Sequence, residues 1–110
     1  MALSRTNYVF KSTDDVKNEV LIKKILNNDE FEQIDDNGES IYLNTRFDAH
    51  ACIKYEFSGD GIKIEGWVKT FPLAPINRKK FKEQELKGFS AGAPKKLCRK
   101  TIERIEKSIV

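Results

Sequence analysis

Residues Ala51 to Val68 read A-C-I-K-Y-E-F-S-G-D-G-I-K-I-E-G-W-V, and this stretch decides the fold. Apolar and polar residues alternate on both sides of Gly59-Asp60, the pattern of a hairpin with one apolar and one polar face. A two-residue loop with glycine first has a twist that suits a hairpin. It sets Phe57 opposite Ile62, Tyr55 opposite Ile64 and Ile53 opposite Gly66, and on the other face Glu56 opposite Lys63 and Lys54 opposite Glu65. Such opposite-sign neighbours contribute roughly 0.2–1 kcal/mol each. Sliding the register by two residues would set Glu56 against Glu65, so the first register is preferred.

Outward from the hairpin, N-Y-V-F-K at Asn7 to Lys11 reads as a short aromatic and β-branched strand. Ser12 to Asp15 supplies an N-cap with two carboxylates at the positive end of a helix. The helix that follows is expected to bury Val16, Val20, Leu21, Ile25 and Leu26 and to turn Lys17, Asn18, Lys23 and Lys24 to solvent, ending at Asn27-Asn28-Asp29. Asn37-Gly38 is a strong hairpin signal, because both central residues of the tight turn need positive φ. It predicts strands at Phe31 to Asp35 and Ser40 to Thr45.

Beyond Phe71 come all three prolines, and residues 72–93 read as a long connection with a short strand or helical turn at Phe81 to Leu86. Pro94 suits the first turn of a last helix, whose apolar stripe is Leu97, Cys98, Ile102, Ile105 and Ile109. The predicted order is strand, helix, four-strand meander, helix (β-α-β4-α). The expected fold is α+β, a mainly antiparallel meander sheet with both helices packed on its apolar face. This order resembles TBP-like and helix-grip domains, a likeness that carries no function by itself.

One domain over residues 1–110 fits the length. With 34% charged and 39% hydrophobic residues, the composition is that of a globular protein and lacks the apolar depletion of disorder. Apolar runs fall far short of the roughly 20 residues that cross a bilayer. M-A-L-S-R-T-N also lacks the apolar core of a signal peptide, so no membrane and a cytoplasmic location are expected. Cys52 and Cys98, 46 positions apart, read as free thiols. Asp48, His50 and Cys52 lie in a row on one strand face and cannot close a tetrahedron alone, so no metal or other cofactor is expected. No nucleophile motif, P-loop or dinucleotide fingerprint is present, and no enzyme activity is expected.

Two candidate surfaces remain. Trp67 breaks the polar face of the hairpin and, with Lys54, Lys63 and Lys69, forms a candidate partner surface, unless the 72–93 connection covers it. Gly92, Lys95 and Lys96 form a candidate anion site at the start of the last helix, where lysines oppose the helix dipole and a bound anion would reverse that penalty. Net charge is +3, but residues 78–110 carry 11 basic and 4 acidic residues, a net +7. The leading expectation is a binding or interaction module for a protein or an anionic ligand, as a monomer or homodimer. The alternatives are nucleic-acid binding through the basic segment 78–107 and a small-molecule pocket between sheet and last helix.

The patterns N-G-E at 37 to 39, I-K-Y-E-F at 53 to 57, I-K-I-E-G-W at 62 to 67 and G-F-S-A-G-A-P-K-K-L at 88 to 97 together resemble a small uncharacterised bacterial domain that also occurs beside zinc ribbons. The resemblance covers residues 37–110. Family members carry a glycine-rich step where this chain reads N-T-R-F-D-A. The chain has no ribbon cysteines, so zinc does not carry over, and the resemblance implies neither a reaction nor functional residues.

Overall fold

Tight turns at Gly59 and Gly38, with φ of 61° and 82°, place four consecutive strands side by side after the first helix. The elements are β1 (Thr6–Lys11), α1 (Asp15–Asn28), β2 (Glu32–Asp36), β3 (Glu39–Asn44), β4 (His50–Ser58), β5 (Gly61–Thr70), β6 (Lys82–Gln84) and α2 (Gly92–Ser108). This computed structural model describes residues 5–36, 38–47, 49–70, 82–84 and 92–110, with the backbone alone for 70 and 82–84. The chain is α+β. Its strands pair antiparallel in the order β1-β5-β4-β3-β2, and β1 and β6 share one edge of β5, at residues 61–66 and 68–70. The expected short segment near Phe81 to Leu86 is β6.

The β4–β5 register is the one that charge selects, with Phe57 opposite Ile62, Glu56 opposite Lys63 and Lys54 opposite Glu65. Even-numbered residues of β5 and odd-numbered residues of β4 face the helices. Ile53, Ile62, Ile64 and Val68 pack there against Ile22 and Leu26 of α1 and Cys98, Ile102 and Ile105 of α2. The predicted stripe of α2 is retained, with Thr101 added to the buried side.

The stripe of α1 is rotated from expectation. Val16 and Val20 are 78% and 64% exposed, whereas Asn18, Ile22 and Leu26 are buried. The cause is polar. Asn18 Nδ2 donates to Ser12 Oγ at 2.7 Å and to Val110 O at 2.8 Å, and its Oδ1 accepts from Val110 N–H at 2.9 Å. A buried amide with this many partners costs little, and it turns the helix so that the end of α2 is tied to the start of α1.

Asp14 caps α1 by accepting from Lys17 N–H at 3.1 Å. At the other end Glu30 adopts φ 66°, and Phe31 N–H returns to Leu26 O at 2.9 Å. This is a left-handed cap of the kind glycine usually occupies. Asp29 beside it accepts from Thr101 Oγ1 and pairs with Arg104 at 2.8 Å, linking α1 to α2.

The ladder between β3 and β4 is short. It joins Tyr42, Leu43 and Asn44 to Ile53, Cys52 and Ala51 and goes no further. Toward its tip the β2–β3 hairpin leaves the plane and crosses the outer face of the sheet. Asp36 there pairs with Lys69 of β5, and Glu39 pairs with Arg5 and with Lys54.

Candidate functional site

The curled hairpin decides the fate of the first candidate surface. Ile34, Ile41 and Leu43 share one face of β2–β3 and meet Cys52 and Trp67 in a second, smaller core. Trp67 is 0% exposed, which corrects its reading as a surface anchor. Among the described residues its cover is this hairpin together with Arg5, whose guanidinium carbon lies 3.7 Å from the ring centroid. Most of the 72–93 connection, expected as the alternative cover, lies outside the described residues. A signal was present in the sequence: an apolar face on β2–β3 needs an apolar partner, and on the outer face Trp67 is the residue that offers one.

Two of the lysines grouped with Trp67, Lys54 and Lys69, are committed to the same closure, and Lys63 pairs within its own strand. Lys54 Nζ donates to Glu39 at 2.9 Å, Lys69 pairs with Asp36, and Lys63 lies 3.4 Å from Glu65. The expected direct partners Lys54 and Glu65 are neighbours in register, but their charges are used elsewhere, because Arg5 reaches both Glu39, at 2.8 and 2.9 Å, and Glu65, at 3.0 Å. The Arg5 hydrogen bonds hold the Glu39 carboxyl at about 2, well below its usual range, with Lys54 adding to the effect against partial burial. Lys54 is raised in turn, chiefly by its bond to Glu39.

The proposed anion site is not assembled either. Lys95 is 2% exposed and engaged within the fold, whereas Gly92 and Lys96 are exposed, so adjacent lysines point opposite ways. Helical geometry explains this, since successive residues lie about 100° apart and Lys95 shares the inward side with Cys98 and Ile102.

His50 and Cys52 lie on one face of β4, and Asp48 is outside the described residues. Among the described residues no group of three or more His, Cys, Asp or Glu could hold a metal. Both cysteines are buried and neither forms a disulfide. Cys98 Sγ–H donates to Cys52 O at 3.4 Å, and burial pushes its thiol pKa up, which leaves it a poor nucleophile.

A different site emerges where β3 departs from β4. A cleft of about 430 Å³ opens there, lined by Glu19 and Lys23 of α1, Gln33 and Ser40 of the hairpin, and Tyr42, Lys54, Tyr55 and Glu56. Tyr42 and Tyr55 stack at 5.8 Å in its floor, and Tyr55 Oη donates to Glu19 at 3.4 Å. Burial, then the bond to Tyr42, raises the Tyr55 hydroxyl pKa, so it stays protonated. Gln33 Nε2 donates to Ser40 Oγ at 2.8 Å on the opposite wall.

The backbone of the cleft is as informative as its side chains. In an antiparallel ladder, successive residues direct their N–H and C=O groups to alternate sides. The Ser58–Gly61 pair closes the two-residue turn, so Ser58, Glu56 and Lys54 bond toward β5, while Phe57, Tyr55 and Ile53 point toward β3. Ile53 finds Tyr42. Beyond it, Tyr55 lines the cleft, and among the described residues no strand takes up the main-chain groups that Tyr55 and Phe57 direct away from β5. Sequence reasoning missed this site because alternation reports the faces of a sheet and is silent about where two strands part.

Comparison with models of protein families, with curated proteins and with solved structures finds no match. Among the described residues no helix is long and apolar enough to cross a membrane.

Proposed function

We propose that this chain is a non-enzymatic interaction module, a TBP-like domain of bacterial type, whose contact site is the cleft between β3 and β4. The observation that carries this reading is the end of the β3–β4 ladder at Tyr42 and Ile53, which leaves main-chain donors and acceptors beside an open, partly aromatic hollow. Trp67 is internal and takes no part in this surface, whereas Lys54 lines it. Protein is the partner class favoured over a small ligand, since the hollow is open and polar rather than enclosed and apolar. Two buried cysteines outside any disulfide support a reducing, cytoplasmic setting.

Nucleic-acid binding through the 78–107 segment is the lesser reading. Lys96 and Lys100 are exposed on α2, but Arg104 is paired with Asp29 and Lys107 with Glu103. That reading requires affinity for mixed-sequence DNA or RNA that falls steeply with salt.

The cleft is tested by panning a random peptide library against the chain and against Ser40→Trp, which fills the hollow from an exposed hairpin position. Selected peptides should lose binding to the variant. Peptides that bind both proteins equally would place the contact elsewhere.

A further inference from the structure

We infer that the cleft takes an extended peptide as an added strand on the Tyr55–Phe57 edge of β4, with a lysine or arginine of that peptide lying toward Glu19 over Tyr42 and Tyr55. This rests on the reading of the cleft as the contact site.

Two independent features select this occupant. The first is the backbone. Residues 55 and 57 present N–H and C=O groups at strand spacing, and a peptide main chain in extended form complements such an edge. Curling of the β2–β3 hairpin has removed the neighbour that would otherwise continue the ladder.

The second is charge. On the helix side the cleft presents the Glu19 carboxylate, the Tyr42 and Tyr55 ring pair, and the Ser40 and Gln33 polar atoms. On the other side Glu56 is exposed, and Lys54 is occupied by Glu39. Lys23 is the remaining cation of the lining, so two carboxylates that form no ion pair among the described residues face one lysine. A cationic side chain gains both from Glu19 and from the aromatic faces. An acidic one meets two carboxylates.

The experiment uses fluorescein-labelled Thr-Val-Thr-Lys-Thr-Val-Thr, the same peptide with a central glutamate, and two forms of the lysine peptide N-methylated at alternate residues. Fluorescence anisotropy should give the lysine peptide about tenfold higher affinity than the glutamate peptide, from a carboxylate pair and a cation–π contact acting together. In Glu19→Gln, an exposed position that tolerates the change, that preference should shrink to about threefold or less, as one of the two contributions is removed.

One N-methylated form should lose binding and the other keep it, because alternate N–H groups of an added strand face β4. Equal loss in both forms, no loss in either, or no preference for lysine overturns the inference. Absence of binding by the lysine peptide at millimolar concentration overturns it as well. In each of those cases peptides selected by panning that fail on Ser40→Trp leave the contact site standing, whereas failure of both experiments removes the site itself.

Discussion

An indole that is fully buried, with an N–H that meets no acceptor, carries a penalty of roughly 1–3 kcal/mol for the unmade hydrogen bond. Among the described residues Trp67 Nε1 meets no acceptor. The packing of the ring under Ile41 and beside Cys52, with the Arg5 guanidinium on its face, offsets the penalty. Replacing Trp67 with alanine should cost roughly 3–5 kcal/mol, as for other large buried aromatics. Urea unfolding measures it, and a loss within experimental error would contradict the burial. Glu30 makes the opposite case. Its left-handed backbone, at φ 66°, strains any residue with a Cβ, and its ion pair with Arg46 is long and exposed at 3.7 Å. Glu30→Gly should raise stability by up to about 1 kcal/mol, the strain relieved being partly cancelled by the greater freedom of glycine in the unfolded chain. Glu39 makes stability depend on pH. Its folded pKa of about 2 lies below the ordinary 4.5, so its contribution is full above 4.5 and is lost as pH falls toward 2. Glu39→Gln should flatten that part of an acid unfolding curve followed by circular dichroism.

At the scale of elements, what the sequence reveals depends on whether local pattern or a distant partner sets the side chain's direction. The β4–β5 register was legible because two charge pairs select one alignment among those that keep the apolar residues on one face. The α2 stripe was legible for a similar reason, with Cys98, Ile102 and Ile105 at helical spacing. In α1 the apolar residues allow more than one phase, and hydrophobicity alone prefers Val16 and Val20 inside. A hydrogen-bonding partner 92 positions away settles the matter, since Asn18 is drawn in by Val110. Asn18→Leu keeps the volume and removes those bonds. It should cost roughly 1–3 kcal/mol for each buried partner left unsatisfied, a loss readable by thermal unfolding, whereas Val20→Ala at the exposed site should change stability by at most about 0.5 kcal/mol.

For the whole molecule, the sheet has two unequal cores, a large one under both helices and a small one beneath the hairpin. The larger could be anticipated from alternation. The smaller was only hinted at by the apolar face of β2–β3, because its closure depends on how far the hairpin curls, a property set by Arg5, Lys54 and Lys69 reaching Glu39 and Asp36 from distant strands. The same curl opens the cleft, so the candidate site was hidden for the same reason as its neighbour Trp67. Joined to β4 by a ladder of only three residue pairs, the hairpin has fewer bonds to break than the nine-pair β4–β5 ladder. It is therefore expected to open ahead of the β4–β5 pairing, without global unfolding. Its amides should exchange with deuterium ahead of those of Cys52 to Phe57 that bond toward β5. As the chain contains a single tryptophan, each such opening exposes one fluorophore, so quenching of indole emission by a neutral solute in native buffer reads the hairpin's own equilibrium directly.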